Sequence, residues 1–147
     1  MRFCFYLFML FLLAGCGSES NTSVPKQYTG VWSGEQSINQ VLNERYILIE
    51  GNGTITYYDY LGDSYDQGQN CFIITKQANL APIEGNIFEY IDSGNVSWVK
   101  LSITDNILSF LLGDVGSTFD SSGSFGIVYK YKSTNTNKSD LTPLCQA

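Results

Sequence analysis

Any chemistry in this 147-residue chain has to be done without histidine, because the sequence contains none. That absence removes the commonest general base, the usual metal ligand and the side chain that changes charge near neutral pH. The carboxylates come next. Asp59, Asp63 and Asp66 cluster in DYLGDSYD, and hard cations such as calcium want several carboxylates together. Their spacing does not match an EF-hand loop, so the segment reads as a solvated acidic turn. No two carboxylates are marked as a glycosidase pair. The sequence also lacks a G-x-S-x-G elbow, a P-loop, a dinucleotide fingerprint and an H-E-x-x-H helix. A non-enzyme with no cofactor and no metal is the expectation. Tyr57, Tyr58, Tyr60 and Tyr65 crowd one stretch, and alternation would set Tyr58 and Tyr60 together at a sugar- or lipid-binding mouth. Tyr is also simply a favoured strand residue, and that plainer account carries more weight.

Four cysteines remain to be placed: Cys4, Cys16, Cys71 and Cys145. The first belongs to a leader. Arg2 is a short positive region, and residues 3–13 form an uninterrupted apolar run, well short of the ~20 residues needed to span a bilayer. Residues 1–15 therefore read as a signal peptide. The Leu13-Ala14-Gly15-Cys16 sequence that ends it resembles the lipobox of bacterial lipoproteins. The resemblance implies diacylglycerol on the Cys16 sulfur, cleavage before Cys16 and acylation of the new amino terminus. Several acyl chains at about 0.8 kcal/mol per buried methylene make such an anchor effectively permanent. Gly17 and Ser18 lack the Asp that holds many such proteins in the inner membrane, so the resemblance points to the outer membrane, facing the periplasm.

In that oxidising compartment the two leftover thiols, Cys71 and Cys145, are expected to pair. The bridge would close a loop of about 75 residues, for which the chain-entropy model allows ~4.5 kcal/mol at most. No C-x-x-C accompanies either cysteine, which disfavours a redox or metal role. Residues 16–27 comprise the lipidated Cys16 and a polar tether, and residues 28–147 form one β domain. Without Arg2 the eight basic residues become seven against fourteen acidic ones, a formal charge of −7. No basic cluster overrides that sum, so nucleic acid is excluded as a partner.

The body must position whatever function there is, and it reads as short strands at 28–34, 44–50, 54–61, 69–76, 86–91, 96–104, 107–112 and 124–132. Turn signals separate them and no crossover helix has room, which implies an antiparallel all-β domain. A two-residue turn at Asp105-Asn106 would set Val99, Leu101 and Ile103 opposite Leu112, Phe110 and Leu108 on one apolar face. Trp98, Lys100, Ser102, Ser109 and Leu111 take the other face. A two-residue turn within Gly51-Asn52-Gly53 would group Ile47, Ile49, Thr56, Tyr58 and Tyr60 on one side. Tyr46, Leu48, Glu50, Ile55, Tyr57 and Asp59 would then share the opposite side. In the last strand Phe125, Ile127, Tyr129 and Tyr131 share a face, with Lys130 and Lys132 pointing away. Ile38, Val41 and Leu42 recur at helical spacing, consistent with a helical turn over one end of the sheet.

Gly30-Val31-Trp32, opening the first of eight strands, resembles the Gly-x-Trp signature of lipocalins. The resemblance implies an up-and-down barrel in which Trp32 closes the bottom beneath a basic residue from the last strand. Lys130 or Lys132 would have to fill that role, because no Arg follows Arg45. A Cys71 to Cys145 bridge from the fourth strand to the tail also resembles one common in lipocalins. Eight antiparallel strands favour closure independently, since a barrel abolishes both sheet edges; a β-sandwich is the alternative.

The expectation is an envelope lipoprotein, anchored through Cys16, whose barrel binds a small apolar or amphipathic ligand against Phe110, Phe125, Tyr129 and Tyr131. The alternative is a protein-binding module, an inhibitor or envelope accessory factor, with a solid barrel core.

Overall fold

A computed structural model describes residues 23–34, 46–61, 71–119 and 126–145. Their strands are β1 (Gly30–Gly34), β2 (Tyr46–Ile49), β3 (Thr54–Leu61), β4 (Cys71–Glu84), β5 (Ile87–Asp92), β6 (Asn95–Thr104), β7 (Ile107–Gly113) and β8 (Val128–Ser133). They run in chain order around a closed antiparallel barrel, with β8 pairing back to β1. Closure excludes the sandwich and leaves no exposed pair of sheet edges. The helical turn expected around Ile38, Val41 and Leu42 lies outside the described residues, as do Phe125, Tyr65, Asp63, Asp66 and Cys16.

The β6–β7 hairpin has the expected register. Val99 pairs with Leu112, Leu101 with Phe110 and Ile103 with Leu108. Asp105 and Asn106 both adopt positive φ, at 52° and 62°, as a two-residue turn with the twist of its flanking strands requires. Ile103 departs from the expected burial. It lies at the barrel rim beside this turn and is 37% exposed.

The β2–β3 hairpin corrects the expected faces. Tyr46 pairs with Tyr58, Ile47 with Tyr57, Leu48 with Thr56 and Ile49 with Ile55. The loop is therefore three residues long, closed by the Glu50 N–H donating to the Thr54 carbonyl and the Gly53 N–H to the Glu50 carbonyl, both at 2.9 Å. Gly53 takes φ +93°, a position glycine fills at no steric cost. A loop of odd length moves β3 by one residue relative to β2, and a pleat of period two then exchanges its faces. Ile47, Ile49, Ile55 and Tyr57 point inward; Tyr58 and Tyr60 share the outer face.

Strand β4 runs for 14 residues, eight residues past the expected end at position 76. Its second half, QANLAPIE, is poor in β-branched and aromatic residues, yet Ala78 and Leu80 are buried on its inner face. Pro82 is tolerated because β3 reaches only to Asn79, which leaves this stretch paired on one side, and the register to β5 shifts just beyond it. The first half of β4 is open on the opposite edge, since β5 pairs with it only from Asn79 onward. The C-terminal tail takes that edge. The Phe72 N–H donates to the Pro143 carbonyl at 2.9 Å and the Cys145 N–H to the Phe72 carbonyl at 2.8 Å, and Cys71 is disulfide-bonded to Cys145.

Two cores result. Inside the barrel, Ile47, Ile49, Ile55, Leu80, Phe88, Val99, Leu101, Leu108 and Phe110 are essentially inaccessible. A segment ahead of β1 plugs one end: Val24 is buried, and a 3-10 turn over Lys26–Tyr28 inserts Tyr28 edge-on against Phe88, with ring centroids 6.3 Å apart. Val24, inside the stretch expected to be tether, is thus part of the packed domain. Outside the barrel, Leu141 of the tail packs on Leu48 and Tyr58. Burying that leucine contributes about 1.5–3 kcal/mol and explains two large side chains on an outward face.

Candidate binding cavity

The end of the barrel opposite the plug is hollow. A cavity of about 240 Å³ is lined by Tyr57 of β3, Lys76 of β4, Tyr90 and Asp92 of β5, Phe110 and Leu112 of β7, and Tyr129 and Tyr131 of β8. The strand ends flanking segments 35–45, 62–70 and 120–125 lie at this end, as does the Ser93-Gly94 turn, whereas the turns after β2, β4 and β6 lie at the plugged end.

Alternation aims each lining residue inward. Phe88, Tyr90 and Asp92 share one face of β5, and Phe110 and Leu112 one face of β7. On β4 a bulge is decisive: Tyr57 pairs with Lys76 but Tyr58 pairs with Ile74, so Thr75 is the extra residue. The bulge lets Phe72 face out towards Tyr46 and Tyr60 while Lys76, four residues later, faces in.

Three neighbouring strands build the polar side of the cavity. The Tyr57 and Tyr90 hydroxyls are hydrogen-bonded at 2.9 Å. The Lys76 ammonium lies 4.6 Å from the Tyr57 ring centroid, 5.3 Å from that of Tyr90 and 3.1 Å from an Asp92 carboxylate oxygen. Burial opposes the charge on Lys76. The hydrogen bonds and charges of Tyr90 and Asp92 more than offset it, so its pKa sits above the ordinary 10.5. The side chains of Lys76 and Asp92 remain 34% and 28% exposed, so the cavity communicates with solvent. Phe110 and Tyr131, in edge-to-face contact at 5.4 Å, form the apolar floor with Leu112.

Of the residues expected at a ligand site, Phe110, Tyr129 and Tyr131 come together here, and Phe125 lies outside the described residues. Ile127 does not join its supposed face: it precedes β8 and is 51% exposed. Tyr58 and Tyr60 form no mouth, since Tyr58 is covered by Leu141 and Tyr60 packs on Phe72. Lys130 and Lys132 cannot serve Trp32 as its basic neighbour. Lys132 pairs with Ser33 and points outward, whereas Trp32 points inward and donates its indole N–H to the Tyr28 carbonyl at 3.0 Å.

Lys76, Tyr90 and Asp92 escaped the sequence reading. A lysine in a strand reads as solvent-facing, and Asp92 reads as part of a turn. The period-two series Lys76, Ala78, Leu80 and Phe88, Tyr90, Asp92 was the signal available. Among the described residues no group of three or more His, Cys, Asp or Glu is placed to hold a metal. No family model, curated protein or solved structure matches this chain.

Proposed function

We propose that this domain is a non-catalytic binding module, held at the bacterial envelope by lipid on Cys16, that takes a small amphipathic ligand into its half-hollow barrel. The observation that carries the reading is the cavity of about 240 Å³ between the Lys76–Asp92 pair and the Phe110–Leu112 floor. A water occupies roughly 30 Å³, so the space equals about eight waters. That falls just below the ~300–1,000 Å³ typical of pockets enclosing a drug-sized molecule. It suits a small molecule, or one end of a longer one whose remainder leaves through the open end.

The state of Lys76 supports binding over catalysis. A lysine that acts as nucleophile or base needs its pKa lowered, and here it is raised by partners that favour the charged form. Native mass spectrometry of the protein purified from its own envelope is expected to show a small-molecule adduct that organic extraction removes. A bare mass that persists after incubation with a panel of amphipaths would overturn the reading.

A further inference from the structure

The polar side of the cavity offers both kinds of hydrogen-bonding group with its charges already cancelled. Lys76 and Asp92 are 3.1 Å apart and both line the space, together with the hydroxyl-bearing Tyr57, Tyr90, Tyr129 and Tyr131. An ionised carboxylate accepts hydrogen bonds and donates none, whereas an ammonium only donates. A ligand group seated between Asp92 and Lys76 must therefore present a donor to one and an acceptor to the other. A carboxylate presents acceptors alone, and would set its charge against Asp92 in a partly desolvated site.

We propose, on the reading that this cavity is a ligand site, that it selects an uncharged head group carrying both donor and acceptor, such as a primary amide or a hydroxyl, and rejects a carboxylate. The surroundings act in the same direction. Asp59 lies two residues beyond Tyr57 on the same face of β3, nearer the open end, and the whole chain carries a formal charge of −6. Among the described residues lining the cavity Lys76 is the one cation, and Asp92 already holds it. On this account Asp92 is the specificity-determining residue: it turns a site that would otherwise bind anions into one that binds neutral polar heads. The cavity has room for about ten bonded heavy atoms, the scale of a head group with a short chain.

Octanamide and octanoate have nearly the same shape and differ by one charge at pH 7, so equilibrium dialysis of the full-length protein against each tests the claim. Octanamide is expected to bind at least tenfold more tightly than octanoate. In Asp92→Asn the order is expected to reverse, because Lys76 then lacks its counter-charge, and adding Lys76→Gln should abolish the gain in octanoate binding. Octanoate binding as tightly as octanamide to the unaltered protein overturns the selectivity and leaves the ligand site standing. Binding of neither probe, to the protein or its variants, overturns both. The comparison on the unaltered protein needs no variant to fold.

Discussion

Tyr57 and Tyr90 stand on strands that are not neighbours, yet their hydroxyls meet at 2.9 Å inside the barrel. The strand between them contributes Lys76, whose ammonium lies near both rings and reaches on to Asp92. Three adjacent strands thus place a cation, an anion and two phenols at one point. Each side chain there is held by another, so the polar wall is largely organised before any ligand arrives.

That arrangement makes stability depend on alkaline pH in a definite direction. Lys76 has a folded pKa raised above its ordinary 10.5, so its contribution is fully present below that value and is lost as pH rises through the folded pKa. Chemical denaturation of the protein and of Lys76→Met between pH 7 and 12 is expected to give a constant stability difference up to about pH 10 that then shrinks. A difference that grows with pH would show that burial, not Tyr90 and Asp92, governs this lysine.

The β6–β7 hairpin was legible because Val99, Leu101, Leu108 and Phe110 agree on one face only in one register, and Asp105-Asn106 suits a two-residue turn. The β2–β3 hairpin misled because it has apolar residues on both faces. Leu48 and Tyr58 are covered by Leu141, more than eighty residues further along the chain, and no local pattern announces that cover. The second half of β4 was missed for a related reason: its strand identity comes from β3 and β5 on its flanks, against weak local propensity. The polar wall escaped because Lys76 and Asp92 satisfy one another, and a satisfied inward pair looks in sequence like two solvent-facing residues.

Gly53 fixes the hairpin that set those faces, and its replacement should be costly. Its φ is +93°, and a Cβ there would collide with the Leu80 carbonyl oxygen. Its own carbonyl accepts the Leu80 N–H at 2.8 Å, so the loop cannot move away without breaking that bond. Gly53→Ala is expected to lose about 2–4 kcal/mol in urea denaturation. Gly51→Ala, where a Cβ would meet nothing within 4 Å, should change stability by about 0.5 kcal/mol or less.

The Cys71–Cys145 disulfide joins residues 74 apart and locks the tail along the open edge of β4. Replacing both cysteines with serine should cost up to about 4.5 kcal/mol. Without the bridge the tail is held by Leu141 packing on Leu48 and Tyr58 and by its hydrogen bonds to Phe72, so amide exchange should accelerate in residues 141–145 and along β4 before it does in β6 and β7. Uniform acceleration across the barrel would show that the tail and barrel open as one unit.

The proposed anchoring rests on Cys16. Cys16→Ser is expected to leave the chain unprocessed or to release it from the membrane fraction, with loss of the lipid mass. Unchanged fractionation together with unchanged mass would remove the lipoprotein reading and leave the proposed ligand site untouched.

Phe110 tests where core ends and cavity begins, because it belongs to both. Its side chain is 1% exposed, sits opposite Leu101 across the β6–β7 pair and meets Tyr131 edge-on, yet its ring also forms the cavity floor. A residue with packing on most sides and a void on one still loses most of its contacts when truncated, and the lost ring enlarges a space that is already present. Phe110→Ala is therefore expected to cost about 3–5 kcal/mol in apo stability. It should also alter the binding of a hydrophobic fluorescent probe, since the floor recedes while Lys76 and Asp92 stay in place. Tyr129→Ala, at a half-buried position on the same cavity, should cost about 1 kcal/mol and change probe binding comparably. A large stability loss in Phe110→Ala with no change in probe binding by either variant would mean that the barrel functions as a solid body. The search for a partner would then move to its outer surface.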